Sequence, residues 1–268
     1  MGKLNSRFIR TLALPFSLAG LILFGSAPLA ADETGAAARA IADKHGGAVV
    51  PVRVVIKMRV AYEGEEVDEE ESSNELNATV IDPSGLALCA LSEVDPTHMI
   101  ELWQEEDPNY KIDAQVTDLK FVLPEGKEIP AKVVLRDRDL DLAFIRPVAL
   151  PDQPFVAVDL AQSAQPQIMD EIVVLGRLGD VANRELRLAL DRITAVVTKP
   201  RTLYIAGIDV WVAGLGVPAF TLDGTLVGIT VMRAIPTAGS MSGSGNSSVP
   251  VVMPAAGILE VARQAPPA

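Results

Sequence analysis

Residues 213–230 have the sequence Ala-Gly-Leu-Gly-Val-Pro-Ala-Phe-Thr-Leu-Asp-Gly-Thr-Leu-Val-Gly-Ile-Thr. A glycine-containing loop is followed by an apolar run at 219–222, an Asp-Gly pair at 223–224 and a second apolar run at 226–232. Asp-Gly favours a tight turn, because glycine accepts a positive φ without steric cost. The stretch therefore predicts a β-hairpin that follows directly on a glycine loop.

The rest of the chain consists of similar short apolar runs separated by turn residues, without long helical periodicity. This pattern is typical of an all-β sandwich or a pair of barrels. We predict a first set of strands at 48–60, 76–81, 86–91, 111–122, 131–135 and 142–148. A second set is predicted at 171–175, 186–198, 203–205, 209–212, 219–222 and 226–232.

The amino terminus is typical of a secretory signal peptide, because three basic residues precede an apolar run at 11–31 that ends in small residues. Cleavage after Ala30 or Ala31 is expected, although about 20 apolar residues can also span a bilayer as an uncleaved anchor. We expect an exported protein, periplasmic or extracellular. The predicted segments are a signal peptide or anchor at 1–31, a helical segment at 32–47, an N-terminal barrel at 48–149, a linker at 150–154, a C-terminal barrel at 155–253, and a helix and tail at 254–268.

Composition excludes several classes of function. The net charge of -12 and the 4% of aromatic residues argue against a nucleic-acid partner, which needs basic side chains and stacking surfaces. The single cysteine, Cys89, rules out an intramolecular disulfide and is expected to be a small buried residue. We expect no cofactor and no metal site.

Two segments have unusual composition. The run at 63–75 is strongly acidic and predicts a solvated loop between the first two strands, with a basic partner or a weak calcium site as alternatives. The run at 238–248 is rich in glycine and serine and predicts a flexible loop.

Three segments together resemble the HtrA branch of the trypsin-like serine proteases. The loop and hairpin at 213–230 are similar to that branch's nucleophile loop, Gly-Asn-Ser-Gly-Gly-Pro, and the alignment on Pro218 puts Leu215 at the position of the nucleophilic serine. The segment Asp-Leu-Asp-Leu-Ala at 139–143 resembles the region of the triad aspartate and identifies Asp141 with that acid.

The third segment, 82–94, resembles the Gly-Tyr-Ile-Leu-Thr-Asn-Asn-His-Val-Val stretch that carries the triad histidine, and it puts Ser92 at the histidine position. The chain's two histidines, His45 and His98, lie at positions that do not fit a base oriented by Asp141. We therefore predict a hydrogen bond between Ser92 and Asp141, because a buried carboxylate needs a donor.

The resemblance implies two six-stranded β-barrels of the chymotrypsin type with a C-terminal helix. It also implies a degenerate triad at Ser92, Asp141 and Leu215, with Leu215 packed into the former cleft, and a vestigial oxyanion-hole loop at Ala213, Gly214 and Gly216. The sequence ends without the PDZ domain usual in HtrA proteins.

The predicted function is that of a pseudoprotease that binds a polypeptide or protein partner or serves as a regulatory or scaffold subunit. The alternatives are an active endopeptidase with a displaced nucleophile, such as a serine within 240–248, and a purely structural envelope protein. Apart from the possible anchor no membrane association is expected, and the sequence leaves the oligomeric state open.

Overall fold

Two closed antiparallel β-barrels of six strands each form the body of the protein. The computed structural model describes residues 29–97, 109–149, 153–207, 209–236 and 246–267. The predicted all-β fold with two six-stranded barrels and a C-terminal helix is confirmed.

The first barrel closes in the order β1-β2-β3-β6-β5-β4, with the bounds β1 Val49–Tyr62, β2 Glu65–Val80, β3 Ala87–Ala90, β4 Tyr110–Val122, β5 Glu128–Asp137 and β6 Leu142–Pro147. The second closes in the order β10-β11-β12-β9-β8-β7, with the bounds β7 Glu171–Arg177, β8 Leu186–Val197, β9 Leu203–Ala206, β10 Pro218–Thr221, β11 Leu226–Pro236 and β12 Asn246–Pro254. The described helices are α1 Leu29–His45, α2 Asp209–Ala213 and α3 Ala255–Ala262.

The start of β1 illustrates why these sequences form barrel strands. Val52, Val54 and Ile56 are buried in the core of the first barrel, whereas the residues between them are only partly buried. This period of two follows from the alternation of side chains along a strand, and it gives the barrel an apolar interior.

The acidic run at 63–75 is a strand and not the loop that its composition predicts. Glu63 and Gly64 form a turn with φ of 52° and 89°, and the residues from Glu65 onward belong to β2, paired with β1. The prediction of a solvated loop is therefore wrong.

Basic residues on the neighbouring strand explain why this acidic run is ordered. Lys57 and Arg59 of β1 both contact Glu69 of β2, with Nζ to Oε1 and Nε to Oε2 distances of 2.6 Å and 3.0 Å. Cross-strand pairs of opposite charge stabilise a sheet. The acids of β2 are thus partly neutralised within the ribbon that they form.

The predicted strand at 209–212 is also wrong, because these residues form helix α2. The carboxylate of Asp191 on β8 accepts a hydrogen bond of 3.3 Å from the N–H of Val210, one of the donors that a helix start leaves unpaired. Val210 itself is buried. An acceptor from a distant strand therefore supports the helix at this position.

Strand β12 was not among the predicted strands. Its first residues, 246–248, belong to the glycine- and serine-rich run at 238–248, and they pair with the end of β11. Residues 237–245 and most of the predicted linker, 150–152, lie outside the described residues.

Arg177 at the end of β7 joins the two barrels. Its guanidinium donates to the carbonyl oxygens of Val49 at 2.6 Å, Gly46 at 2.9 Å and Arg184 at 3.0 Å. The amide side chain of Asn77 on β2 exchanges two hydrogen bonds of 3.2 Å with the backbone of Arg177. Polar contacts therefore fix the relative position of the barrels on this side.

A buried apolar cluster extends across both barrels. Leu88, Leu142 and Phe144 of the first barrel lie in one cluster with Ile172 and Phe220 of the second. The two barrels therefore share a core.

The predicted signal segment is described only at its end. Residues 1–28 lie outside the described residues, and α1 begins at Leu29. None of the described helices has both the length and the apolar character that a membrane span requires.

Candidate functional site

Asp141 is the buried acid at the centre of the site. It lies in the turn between β5 and β6, has a positive φ of 57° and is 5% exposed. The N–H of Leu140 donates to the carboxylate of Asp137 at 2.9 Å, which supports the turn. The local sequence thus places one carboxylate inside the protein at the end of a strand.

Ser92 supplies two of the donors to this carboxylate. It lies in the 3₁₀ turn Leu91–Glu93 that follows β3. Its N–H donates to Oδ1 of Asp141 at 2.7 Å, and its Oγ donates to Oδ2 at 3.1 Å. The hydrogen bond predicted between Ser92 and Asp141 is present.

A third donor comes from the second barrel. The N–H of Met232 on β11 donates to Oδ2 of Asp141 at 2.7 Å. Burial raises the pKa of Asp141, whereas the hydrogen bonds from Met232 and Ser92 and the charge of Arg233 hold it down. Asp141 is therefore a carboxylate that links the two barrels.

Glu93 is a second acid of this site, and sequence reasoning did not single it out. Its Oε2 is shut off from solvent, and no hydrogen-bond partner for it exists among the described residues. Burial and then the charge of Asp141 raise the pKa of Glu93 to about 8. The one sequence signal is an acid two residues after the apolar run at 86–91.

Leu215 lies between two glycines whose positive φ values shape the loop, Gly214 at 102° and Gly216 at 69°. A Cβ at Gly216 would lie 2.6 Å from the carbonyl oxygen of Asn77 and 3.0 Å from the Cα of Cys89, so no larger residue fits there. Leu215 is half-buried at the surface of this loop. Only part of its side chain is withdrawn from solvent, so it does not fill the site as completely as a core residue would.

Two N–H groups of the loop, those of Gly216 and Val217, form hydrogen bonds within the protein. The N–H of Gly216 donates to the carbonyl of Thr230 at 2.8 Å, and the N–H of Val217 donates to the hydroxyl of the same residue at 3.1 Å. That hydroxyl donates in turn to the carbonyl of Gly214 at 2.9 Å. Ala213 ends helix α2, in which an N–H points back to the preceding turn. The N–H groups of Ala213 and Gly216 therefore do not converge on an open anion site.

His45 has a structural position. Its ring stacks on Phe220 of β10 with centroids 4.6 Å apart, and burial and the neighbouring Lys44 lower its pKa. His98 lies outside the described residues. Within the described ranges, no group of three or more histidine, cysteine or acidic side chains is arranged to hold a metal ion.

The family profile described as "Trypsin-like peptidase domain" matches residues 77–229, more than half of the 268 residues. Two solved chains of the HtrA-type protease AlgW share the fold. The one with tripeptide has a TM-score of 0.51 and 19% identity over 85% of this chain and 62% of that chain. The one with decapeptide has a TM-score of 0.54 and 16% identity over 85% and 66%.

The present chain thus spans less than two thirds of the length of these proteases. At such identities the likeness concerns the fold alone. No curated protein matches the chain.

Proposed function

Because the chain belongs to the family of trypsin-like peptidase domains, we propose that it is an exported member that no longer cleaves peptide bonds and instead binds a polypeptide or a protein partner. One observation carries the proposal. Among the described residues, the side chain that donates to the buried carboxylate of Asp141 is the hydroxyl of Ser92 and not an imidazole.

Serine cannot replace histidine in the mechanism of this fold. The attacking hydroxyl must lose its proton to a neighbouring base, and the acid only orients that base. A neutral hydroxyl such as that of Ser92 does not accept a proton at physiological pH. In a protease of the same mechanism, loss of the base lowers turnover by about 10⁶.

The loop at 213–217 supports the same proposal. Leu215, which the sequence match puts at the nucleophile position, has no group that could attack a carbonyl. The N–H of Gly216 is already hydrogen-bonded to Thr230. Stabilisation of a tetrahedral oxyanion requires N–H groups that are free and aimed at it, and those of Gly216 and Val217 are occupied by Thr230.

A protease fold that no longer cleaves peptide bonds can still bind a polypeptide. The two AlgW chains of the same fold carry a tripeptide and a decapeptide, which supports a polypeptide as the class of partner. The apolar segment at 11–31 supports export, so we propose a periplasmic or extracellular partner.

The test combines a covalent probe with a binding measurement. The purified chain without residues 1–31 is incubated with a fluorescent fluorophosphonate and with labelled unfolded casein, beside an active trypsin-like protease. We expect no covalent labelling and no cleavage, together with a rise in casein anisotropy at micromolar protein. Labelling with cleavage would contradict the loss of activity, and an unchanged anisotropy would contradict the binding function.

A further inference from the structure

The 3₁₀ turn Leu91–Glu93 contains two neighbouring polar residues, of which Ser92 is hydrogen-bonded and Glu93 has an oxygen without a partner among the described residues. Ser92 points its hydroxyl at Asp141, whose carboxylate receives three donors in all. Glu93 has a carboxyl oxygen that is shut off from solvent and unpartnered among the described residues. In the described part of the chain, no donor reaches Oε2 of Glu93 to stabilise its carboxyl group as an anion.

An unpaired carboxylate is costly to bury, and the group avoids this cost by holding a proton. Asp141 holds a proton less readily than Glu93, because the N–H groups of Ser92 and Met232 stabilise its ionised form. The proton of the pair therefore resides on Glu93, and Asp141 keeps the charge. Ionised Glu93 in this turn would be an unpaired charge beside Asp141. The closed turn therefore favours the neutral side chain.

We propose that Glu93 is a proton-controlled latch of the inter-barrel site. While protonated, it keeps the turn Leu91–Glu93 closed. When it loses its proton, the buried negative charge drives the Glu93 side chain toward water, which moves Ser92 away from Asp141 and loosens the contact of Asp141 with Met232. The proposal does not depend on the polypeptide-binding function.

The charged and titratable groups around Glu93 oppose its ionisation in the closed turn. Asp141, from the turn between β5 and β6, is the charge that acts on Glu93 directly, and it opposes ionisation. Cys89 of β3 is a neighbour whose own pKa is raised by burial and by both acids. Arg233 of β11 acts on Asp141, and Arg138 pairs with Asp95, 3.6 Å from Nη2 to Oδ2. Neither cation is among the causes that set the pKa of Glu93.

The sign of the pH dependence follows from proton binding in the two states. In the closed turn Glu93 keeps its proton up to about pH 8, whereas a glutamate in water titrates near about 4.3. Between these values the open state binds fewer protons, so a rise in pH favours opening. The opening equilibrium constant is expected to rise by up to about tenfold per pH unit and to level off above about pH 8.

Amide exchange measured by NMR on the whole folded chain tests the latch. Protection factors for the amides of Ser92 and Met232 are taken between pH 5.5 and 9, each corrected for the intrinsic exchange rate. We expect both factors to fall as the pH rises. Glu93→Gln mimics the protonated side chain and should make them independent of pH, whereas Glu260→Gln, on the exposed face of α3, should behave as the parent.

Two results would overturn the proposal. One is a flat protection profile in the parent chain, and the other is an equal fall in the parent and in Glu93→Gln. If Glu93→Gln does not fold, a ¹³C titration of the Glu93 carboxyl in the parent decides the question. An apparent pKa of about 4.3, the value of a glutamate in water, leaves almost no proton to release between pH 5.5 and 9 and would overturn the proposal.

Discussion

The N–H of Ser92 donates to Oδ1 of Asp141 and its hydroxyl donates to Oδ2, at 2.7 Å and 3.1 Å. One small residue thus contributes two donors to a buried carboxylate, at the position where the family resemblance places an imidazole. The aspartate keeps the partners that it needs for stability. Among the described residues no imidazole contacts this carboxylate, and the described histidine, His45, stacks on Phe220.

Replacement of Ser92 by alanine removes the hydroxyl donor and leaves the backbone donors in place. We expect Ser92→Ala to lower the free energy of unfolding by about 1–2 kcal/mol, because the acceptor is a buried charged group. Urea unfolding measures the change. Ser73→Ala, on the exposed part of β2, is the matched control and should change stability by less than about 0.5 kcal/mol. Equal effects of the two substitutions would mean that the Ser92 hydroxyl contributes nothing.

Arg177 offers a test of the contact between the barrels. Arg177→Ala leaves the carbonyls of Gly46, Val49 and Arg184 without their donor, and we expect it to lower the free energy of unfolding by about 3 kcal/mol. Arg192→Ala is the control, since this exposed arginine pairs with Glu171 on the surface, and its loss should cost less than about 1 kcal/mol. Thermal and urea unfolding measure the loss of stability in both variants. Equal losses in the two would contradict the structural role of Arg177.

The proposed loss of the catalytic triad is tested by introducing a histidine at position 92 and a serine at position 215. The double variant Ser92→His and Leu215→Ser should react with a fluorophosphonate, whereas neither single variant should. Turnover of a peptide substrate should stay low, because the N–H of Gly216 remains hydrogen-bonded to Thr230. A folded double variant that does not label would contradict the correspondence of these two positions.

Cys89 provides a check on the core of the first barrel. Its side chain is fully buried, with Sγ 3.8 Å from the carbonyl of Ala143, and burial raises the pKa of the thiol. Because the reactive species is the thiolate, the native chain should not react with a disulfide reagent at pH 8 within minutes. Full reaction is expected in urea. Rapid stoichiometric reaction of the native chain would show that β3 opens readily.

The strands could be predicted from a pattern short in sequence. The two six-stranded barrels and the contact between Ser92 and Asp141 were implied by the resemblance of three short segments to the HtrA branch of the trypsin-like serine proteases. The alternation of apolar residues sets the strands, and three short segments locate the acid, the serine and Leu215. Both can be recognised in the sequence without knowing which distant residues lie in contact in the fold.

The errors have a common physical origin in contacts between distant segments. The acidic run became a strand because Lys57 and Arg59 face it across the ribbon. The segment at 209–212 became a helix because Asp191 caps it from another strand. The environment of Glu93 likewise follows from packing, since composition alone suggests a solvated acid. In each of these cases the outcome depends on neighbours from other segments, which the local sequence cannot identify.

The cluster that joins Leu88, Leu142 and Phe144 to Ile172 and Phe220 has a consequence for how the chain acquires its shape. The first barrel is synthesised before the second, and its part of this apolar cluster is covered by residues of the second barrel. Each half alone would expose apolar surface, and the two halves should gain their final packing together in one cooperative step. We therefore expect the two barrels to unfold in one transition, although the first barrel also has an apolar cluster of its own.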